Sequence, residues 1–168
     1  MAYNVLIVDD SAVSRSMVRK SIAMAGLDVN EVHEAGDGLQ ALEVLGKEWI
    51  DIVFADLNMP NMGGVELVEK MAQDNLLVSI PVIIVTSERN PTRIEELMKH
   101  GIRAYMKKPF RPENLRSVVD DVLSATGGGE RHGSLDLLRR AVGCHGASSR
   151  GSRVRVHRAH GQPTAVRR

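Results

Sequence analysis

The chain has 168 residues, 43% of them hydrophobic and only 3% aromatic, which leaves room for one ordinary domain with a core of Val, Ile, Leu, Met and Ala. Its net charge of +1 conceals an acidic body and a basic tail: residues 1–126 carry 13 Lys and Arg against 19 Asp and Glu, whereas 127–168 carry nine Arg against Glu130 and Asp136. One cysteine, Cys144, excludes an intrachain disulfide framework, no apolar run reaches membrane-span length, and Met1-Ala-Tyr-Asn is no signal-type leader, so a cytoplasmic protein without membrane insertion is expected.

Val5-Leu-Ile-Val8 is a short continuous apolar run, the pattern of a strand covered on both faces. From Ala12 to Ala25, apolar residues at Val13, Met17, Val18, Ile22 and Ala25 have helical spacing, and Gly26 stops the helix. Val29 to Ala35 reads as a weaker strand. Asp37 caps a helix that runs through Leu45 to Gly46. Ile50 to Ala55 is a third strand, and Gly64 to Gln73 a helix with Val65, Leu67, Val68 and Met71 on its apolar side.

Pro81-Val-Ile-Ile-Val85 is a fourth strand, with proline tolerated at its start. Asn90-Pro91 opens the next helix and His100-Gly101 closes it. Arg103 to Met106 is a fifth strand, and Pro112 to Leu123 the last helix. Met17, Met24, Met71 and Met98 fall at helical spacing and are expected in the core. Strands alternating with helices in this way predict an α/β, doubly wound parallel sheet.

Ligand sites in such folds lie beyond the carboxyl ends of the strands. There the sequence places Asp9-Asp10, Asp56, Thr86-Ser87 and Lys107-Lys108. Clustered carboxylates repel unless a cation joins them. Oxygen ligands suit Mg²⁺, which takes one or two carboxylates and completes its shell with water and phosphate oxygens. A lysine and a hydroxyl beside them suit a phosphoryl group. Asp56, central in the strand order, is the natural nucleophile for an aspartyl phosphate.

Four segments carry a family resemblance: Val8-Asp9-Asp10-Ser11, Asp56-Leu-Asn-Met-Pro-Asn-Met-Gly-Gly64, Val85-Thr86-Ser87-Glu88, and Tyr105-Met-Lys-Lys108-Pro109-Phe110. In this order and at these separations they resemble the response-regulator receiver domain, above all its stand-alone chemotaxis members, over roughly residues 3–125. The resemblance implies a flavodoxin-like (βα)5 three-layer fold with strand order 2-1-3-4-5. It implies that Asp56 accepts the phosphoryl group, that Asp10 binds Mg²⁺ directly, that Asp9 does so mostly through water, and that Asn58 contributes its backbone carbonyl.

On the same resemblance Lys108 pairs with the phosphoryl group and precedes a cis Pro109. Thr86 moves to the phosphoryl group, Tyr105 turns inward, and the surface around the fourth helix, fifth strand and fifth helix changes. Asn58 and Glu88 tune dephosphorylation. The implied partners are a sensor histidine kinase as phosphodonor and a downstream protein such as a flagellar motor switch or another signalling protein. Leu57 and Gly63 depart from the chemotaxis pattern.

Plainer readings stand beside these. Asp9-Asp10 can be a strand-end turn and Asp56 a loop cap; Tyr105 can be an ordinary half-buried aromatic. Strand alternation lets only one of Thr86 and Ser87 point inward, and Lys108, next to Pro109, is preferred to Lys107. Gly64 is expected to serve a loop turn. His33 and His100 are expected away from the site.

The boundary is placed at 126/127, where Gly127-Gly-Gly129 starts an Arg-rich tail to residue 168. Ser134 to Val142 has the pattern of one short helix, and disorder is expected from Gly146 onward. Nucleic acid is expected to meet this protein only through weak tail contacts. A phosphohydrolase would need a cap, for which the connections are too short, and a second acid where Asn58 stands. A DNA-binding regulator would have to act through the tail alone. The expected role is therefore a signalling switch whose output is binding, not turnover of a metabolite.

Overall fold

The central runs 5–8, 52–55 and 82–85, β-branched and apolar on both sides, form the middle of one sheet because helices on either side cover them. The more polar segments 29–35 and 104–107 pair at its edges. The computed structural model describes residues 2–88, 90, 92, 95, 98–100 and 102–126. In chain order these form β1 (Tyr3–Val8), α1 (Ala12–Met24), β2 (Val29–Ala35), α2 (Gly38–Leu45), β3 (Ile52–Asp56), α3 (Gly64–Ala72), β4 (Val82–Thr86), β5 (Ala104–Lys107) and a C-terminal helix (Pro112–Thr126). Between β4 and β5, Thr92, Glu95, Met98 and Lys99 are helical; Pro91 and Gly101, read as the bounds of that helix, lie outside the described residues, as does the whole segment 127–168.

All strand pairs are parallel, in the order β2-β1-β3-β4-β5, as the doubly wound flavodoxin-like reading requires. Alternation divides the core into two layers. Leu6, Val8, Val53, Ala55 and Ile84 face Ala41, Leu45, Leu67 and Met71 of α2 and α3. Val5, Ile7, Ile52, Phe54, Ile83 and Val85 face Val18 and Ile22 of α1 and Leu115, Val119 and Val122 of the C-terminal helix.

Caps fix the helix starts that matter for the site. The Ser11 hydroxyl accepts the Ser14 amide at the head of α1, and Asp37 accepts the Gln40 amide at the head of α2. Gly26, with φ +66°, follows the end of α1, where a left-handed residue closes a helix at least strain.

Three sequence expectations need correction. Met17 and Met24 are not core: they are 59% and 75% exposed, and Val13 is 73% exposed. Val18 lies about 100° round the helix from Met17, and only the stripe through Val18 and Ile22 reaches the sheet. The strands β3, β4 and β5 each begin one or two residues later than expected and end on the polar residues Asp56, Thr86 and Lys107. Ile50 is buried outside the strand, while the Asp51 carboxylate accepts the Asn4 amide at 2.8 Å.

Gly64 does not serve a left-handed turn, since only Asn61 and Gly26 have positive φ among the described residues. It serves a close approach: a Cβ there would stand 2.5 Å from the Asp56 backbone oxygen and 3.0 Å from Ile84 Cδ1.

Candidate functional site

The carboxyl ends of β1, β3, β4 and β5 deliver Asp9, Asp56, Thr86 and Lys108 to one rim of the sheet. Parallel pairing sets their level: Val8 is opposite Ala55, Asp56 opposite Val85, and Thr86 opposite Lys107. The strands therefore run out together, and the next residue of each chain segment lies over the same edge.

Lys108 joins the cluster. Its ammonium donates to Asp9 Oδ2 at 2.7 Å and to Asp56 Oδ1 at 2.8 Å, bonds that span 99 and 52 residues of sequence. The Asp9, Asp56 and Lys108 side chains are 5%, 13% and 23% exposed. Burial by itself would lower the Lys108 ammonium, but its hydrogen bonds and attraction to Asp56 and Asp9 outweigh that and hold it above its ordinary value. At Asp9, burial pushes the carboxyl up. The bonds from Lys108, the Ser14 hydroxyl and the Ser11 amide, with the Lys108 charge, pull it below its ordinary value. The cluster is a pair of acids held together by one ammonium.

Both plain readings of the acids hold as well. Asp9 Oδ1 accepts the Ser11 amide at 2.9 Å, and Asp56 Oδ2 accepts the Asn58 amide at 2.9 Å. Each is a local Asx turn that also aims the second carboxylate oxygen at Lys108. The Lys108–Pro109 peptide is cis, as the resemblance implied. Lys107 is exposed and takes no part in the cluster.

Thr86 is buried and Ser87 exposed, so alternation selects Thr86. Its hydroxyl accepts the Glu88 amide at 3.0 Å, and its carbonyl accepts the Lys108 amide at 2.8 Å. Tyr105 pairs with Ile84 across β4–β5, which puts it on the Thr86 face of the sheet. It packs at the margin of the α2–α3 core layer, and burial raises its phenol above the ordinary value. His33 and His100 pair instead with Glu31 and Glu69, away from the cluster.

Hard oxygen donors surround this point. Asp9 Oδ1 and Asp56 Oδ2 each receive one backbone amide and keep a lone pair, and the Asp10 side chain is exposed beside them. Among the described residues no three acidic, His or Cys side chains are already gathered as a metal cage. Mg²⁺ does not need one, because it binds through one or two carboxylates and fills its shell with water and phosphate oxygens. The donor set fits that ion.

Three contributions were not legible in the sequence. The Ser14 hydroxyl donates to Asp9 Oδ2 and accepts from Lys108 at 2.9 Å. Arg15 Nη1 donates to the Asp9 carbonyl at 2.7 Å while its Nε pairs with Glu34 at 2.9 Å. Asn61 Nδ2 donates to Asp37 Oδ2 at 2.8 Å, and the Gly38 amide donates to the Met62 carbonyl at 3.0 Å. Together these last two bonds strap the loop after Asp56 to the head of α2. The Asp9–Ser14 and Asp9–Arg15 spacings place both residues one helical turn past the strand end, a weak signal that many surface residues share.

Comparison with known proteins agrees with this fold. The family model for the response regulator receiver domain matches residues 5–120. A chemotaxis protein CheY homolog of Campylobacter jejuni is 36% identical over 126 residues, 74% of this chain and 95% of that one. The rice two-component response regulator ORR11 is 36% identical over 121 residues, 71% of this chain and 80% of that protein. The solved structure of the chemotaxis response regulator CheY4 of Vibrio cholerae superposes with a TM-score of 0.64 at 34% identity, over 73% of this chain and 99% of that one. On this family match, these relatives and the shared sheet order, this chain belongs to the response regulator receiver domain family, of the CheY type.

Proposed function

We propose that this receiver is a phosphorylation switch in which Asp56 accepts a phosphoryl group from a histidine kinase with the help of Mg²⁺. The observation that carries this reading is the Lys108 ammonium, held between Asp56 Oδ1 and Asp9 Oδ2. A positive charge is thereby fixed where negative charge gathers on phosphoryl transfer. An Asp56 carboxylate oxygen attacks phosphorus, and the phosphorus–nitrogen bond of the donor phosphohistidine breaks. The electron pair leaves with the imidazole, which takes a proton from solvent.

Asp10, Asp9, Asp56 and the Asn58 carbonyl are the residues that would hold Mg²⁺, which when bound neutralises phosphoryl oxygens. Lys108, whose ammonium donates to Asp56 Oδ1, would give that donor to a phosphoryl oxygen. Thr86 releases the Glu88 amide and donates its hydroxyl to another phosphoryl oxygen. Tyr105, on the same sheet face, follows into the space that Thr86 leaves. That movement changes the surface formed by β5, the C-terminal helix and the segment before β5, to which a downstream protein would bind. Asn58 and Glu88 flank the approach of the hydrolytic water, so the aspartyl phosphate would last seconds to minutes by resemblance to chemotaxis receivers.

A chemotaxis-type output, such as a flagellar motor switch, is supported by the CheY relatives; the equally similar plant regulator keeps other relays open to test. Residues 127–168 would be a separate basic appendage to the 1–126 domain. Among the described residues no helix is long and apolar enough to cross a membrane, and a cytoplasmic location fits the kinase partner.

The test is intact mass after brief exposure to acetyl phosphate, with Mg²⁺ and with chelator, on the wild type and Asp56→Asn. One added phosphoryl group that needs Mg²⁺ and is absent from the variant supports the reading. No adduct, or an adduct that survives in Asp56→Asn, overturns it.

A further inference from the structure

The serines of the helices do not all behave alike. Ser21 donates to the Met17 carbonyl and Ser124 to the Asp120 carbonyl, each four residues back along its own helix. That is the ordinary use of a helical hydroxyl. Ser14, in the first turn of α1, instead turns out of its helix: it donates to Asp9 Oδ2 and accepts from Lys108 Nζ at 2.9 Å. The turn that allows this is set by Ser11, whose hydroxyl accepts the Ser14 amide at 3.3 Å.

With Ser14 included, the three N–H donors of Lys108 are all assigned: Asp9 at 2.7 Å, Ser14 at 2.9 Å and Asp56 at 2.8 Å. Two anchors on the β1–α1 side fix the ammonium nitrogen, which ends a flexible four-carbon stem, and the third donor is left for Asp56. Asp9 Oδ2 likewise has both lone pairs filled, by Lys108 and Ser14. Only Asp9 Oδ1 keeps capacity toward an arriving ion or water.

We propose that Ser14 is a positioning residue of the phosphoacceptor site, whose hydroxyl fixes Lys108 opposite Asp56 and confines Asp9 to a single available oxygen. The inference rests on the reading of Asp56 as phosphoacceptor and adds a residue to that site.

The experiment compares the wild type, Ser14→Ala and Ser14→Thr by two measurements. The first is a brief pulse of an amine-acylating reagent on the metal-free protein, with Lys108 labelling read by peptide mass mapping against exposed Lys107. Loss of the hydroxyl is expected to raise Lys108 labelling about three- to tenfold, the scale of the net contribution of one ordinary hydrogen bond. Ser14→Thr, which keeps the hydroxyl, stays within about twofold of wild type. The second is the rate of phosphorylation by acetyl phosphate with Mg²⁺, expected to fall about three- to tenfold in Ser14→Ala and to recover in Ser14→Thr.

If either labelling or rate is unchanged in Ser14→Ala, the proposal fails. It also fails if Ser14→Thr is as impaired as Ser14→Ala, because the effect is then one of packing. A wild type that takes no phosphoryl group on Asp56 fails the functional reading instead, and the Lys108 labelling still decides whether Ser14 positions the lysine.

Discussion

The Asp56 backbone oxygen stands 2.5 Å from the point that a Cβ on Gly64 would occupy. The start of α3 is thereby pressed against the end of β3, with the Gly64 amide donating to the Leu57 carbonyl at 3.1 Å. The loop between them has no slack with which to absorb a methyl group. Gly64→Ala is expected to destabilise the domain by about 1–3 kcal/mol through overpacking and to slow phosphorylation by displacing Asp56. Urea unfolding and the acetyl phosphate assay check this; an alanine variant with wild-type midpoint and rate would show that the helix can back away at no cost.

The charge cluster makes a prediction whose sign depends on pH. Asp9 is held below its ordinary value of 3.8, so its contribution to stability is present above that value and is lost as pH falls through its folded value. Lys108 is held above 10.5, so its contribution is present below that value and is lost as pH rises through its folded value. The wild type should therefore hold this stabilisation across the neutral range and lose it only toward either extreme.

In Lys108→Met, Asp9 keeps its burial but loses its counter-charge. The variant should be less stable by roughly 1–3 kcal/mol near neutral pH, less than for a fully buried pair because solvent reaches the lysine. It should then gain stability as the pH is lowered toward the carboxylate range, the reverse of the wild-type trend. Thermal unfolding of both proteins over that range checks this, and parallel curves would sink it.

Thr86 and Tyr105 supply a spectroscopic test of the switch. The chain has two tyrosines, so a Tyr3→Phe background isolates the Tyr105 phenol, which burial already raises above 10.0. Inward movement buries it further, and its ultraviolet titration should shift upward when the protein is loaded with beryllofluoride and Mg²⁺. In Thr86→Ala the aspartate should still be phosphorylated by acetyl phosphate, but the Tyr105 shift should shrink or vanish. A full shift without the hydroxyl would uncouple the two residues.

Asn61, with φ +62°, donates its side-chain amide to Asp37 and so holds the loop after Asp56 against α2. Asn61→Gly loses the strap but keeps the backbone conformation. Asn61→Ala loses both and should be less stable than the glycine variant by about 1 kcal/mol, the scale of the left-handed penalty for a residue with a Cβ. Equal midpoints in urea would mean that the loop relaxes out of this conformation once the strap is gone.

The sequence by itself determined the architecture and most of the rim. Continuous β-branched runs such as Val82 to Val85 declare strands buried on both faces. Asp37 and Gly26 mark helix ends through local capping and backbone freedom. The polar residues that follow each run, Asp9, Asp56, Thr86 and Lys108, fall at the carboxyl edge because the strands are parallel. These are properties of adjacent residues, and adjacency is what a sequence records.

Tertiary structure alone decided which neighbours meet. The helical period of α1 could not say that Val18 and Ile22 face the sheet while Met17 and Met24 face solvent, because that depends on how the helix is rotated against its neighbours. Gly64 looked like a turn residue and is a contact residue, since its constraint is the Asp56 carbonyl and not its own φ. Ser14 carried only a weak mark, its spacing from Asp9. Its role exists only because folding brings Lys108, 94 residues away, within 2.9 Å of its hydroxyl, and a hydrogen bond that short depends on three-dimensional placement that no local pattern encodes.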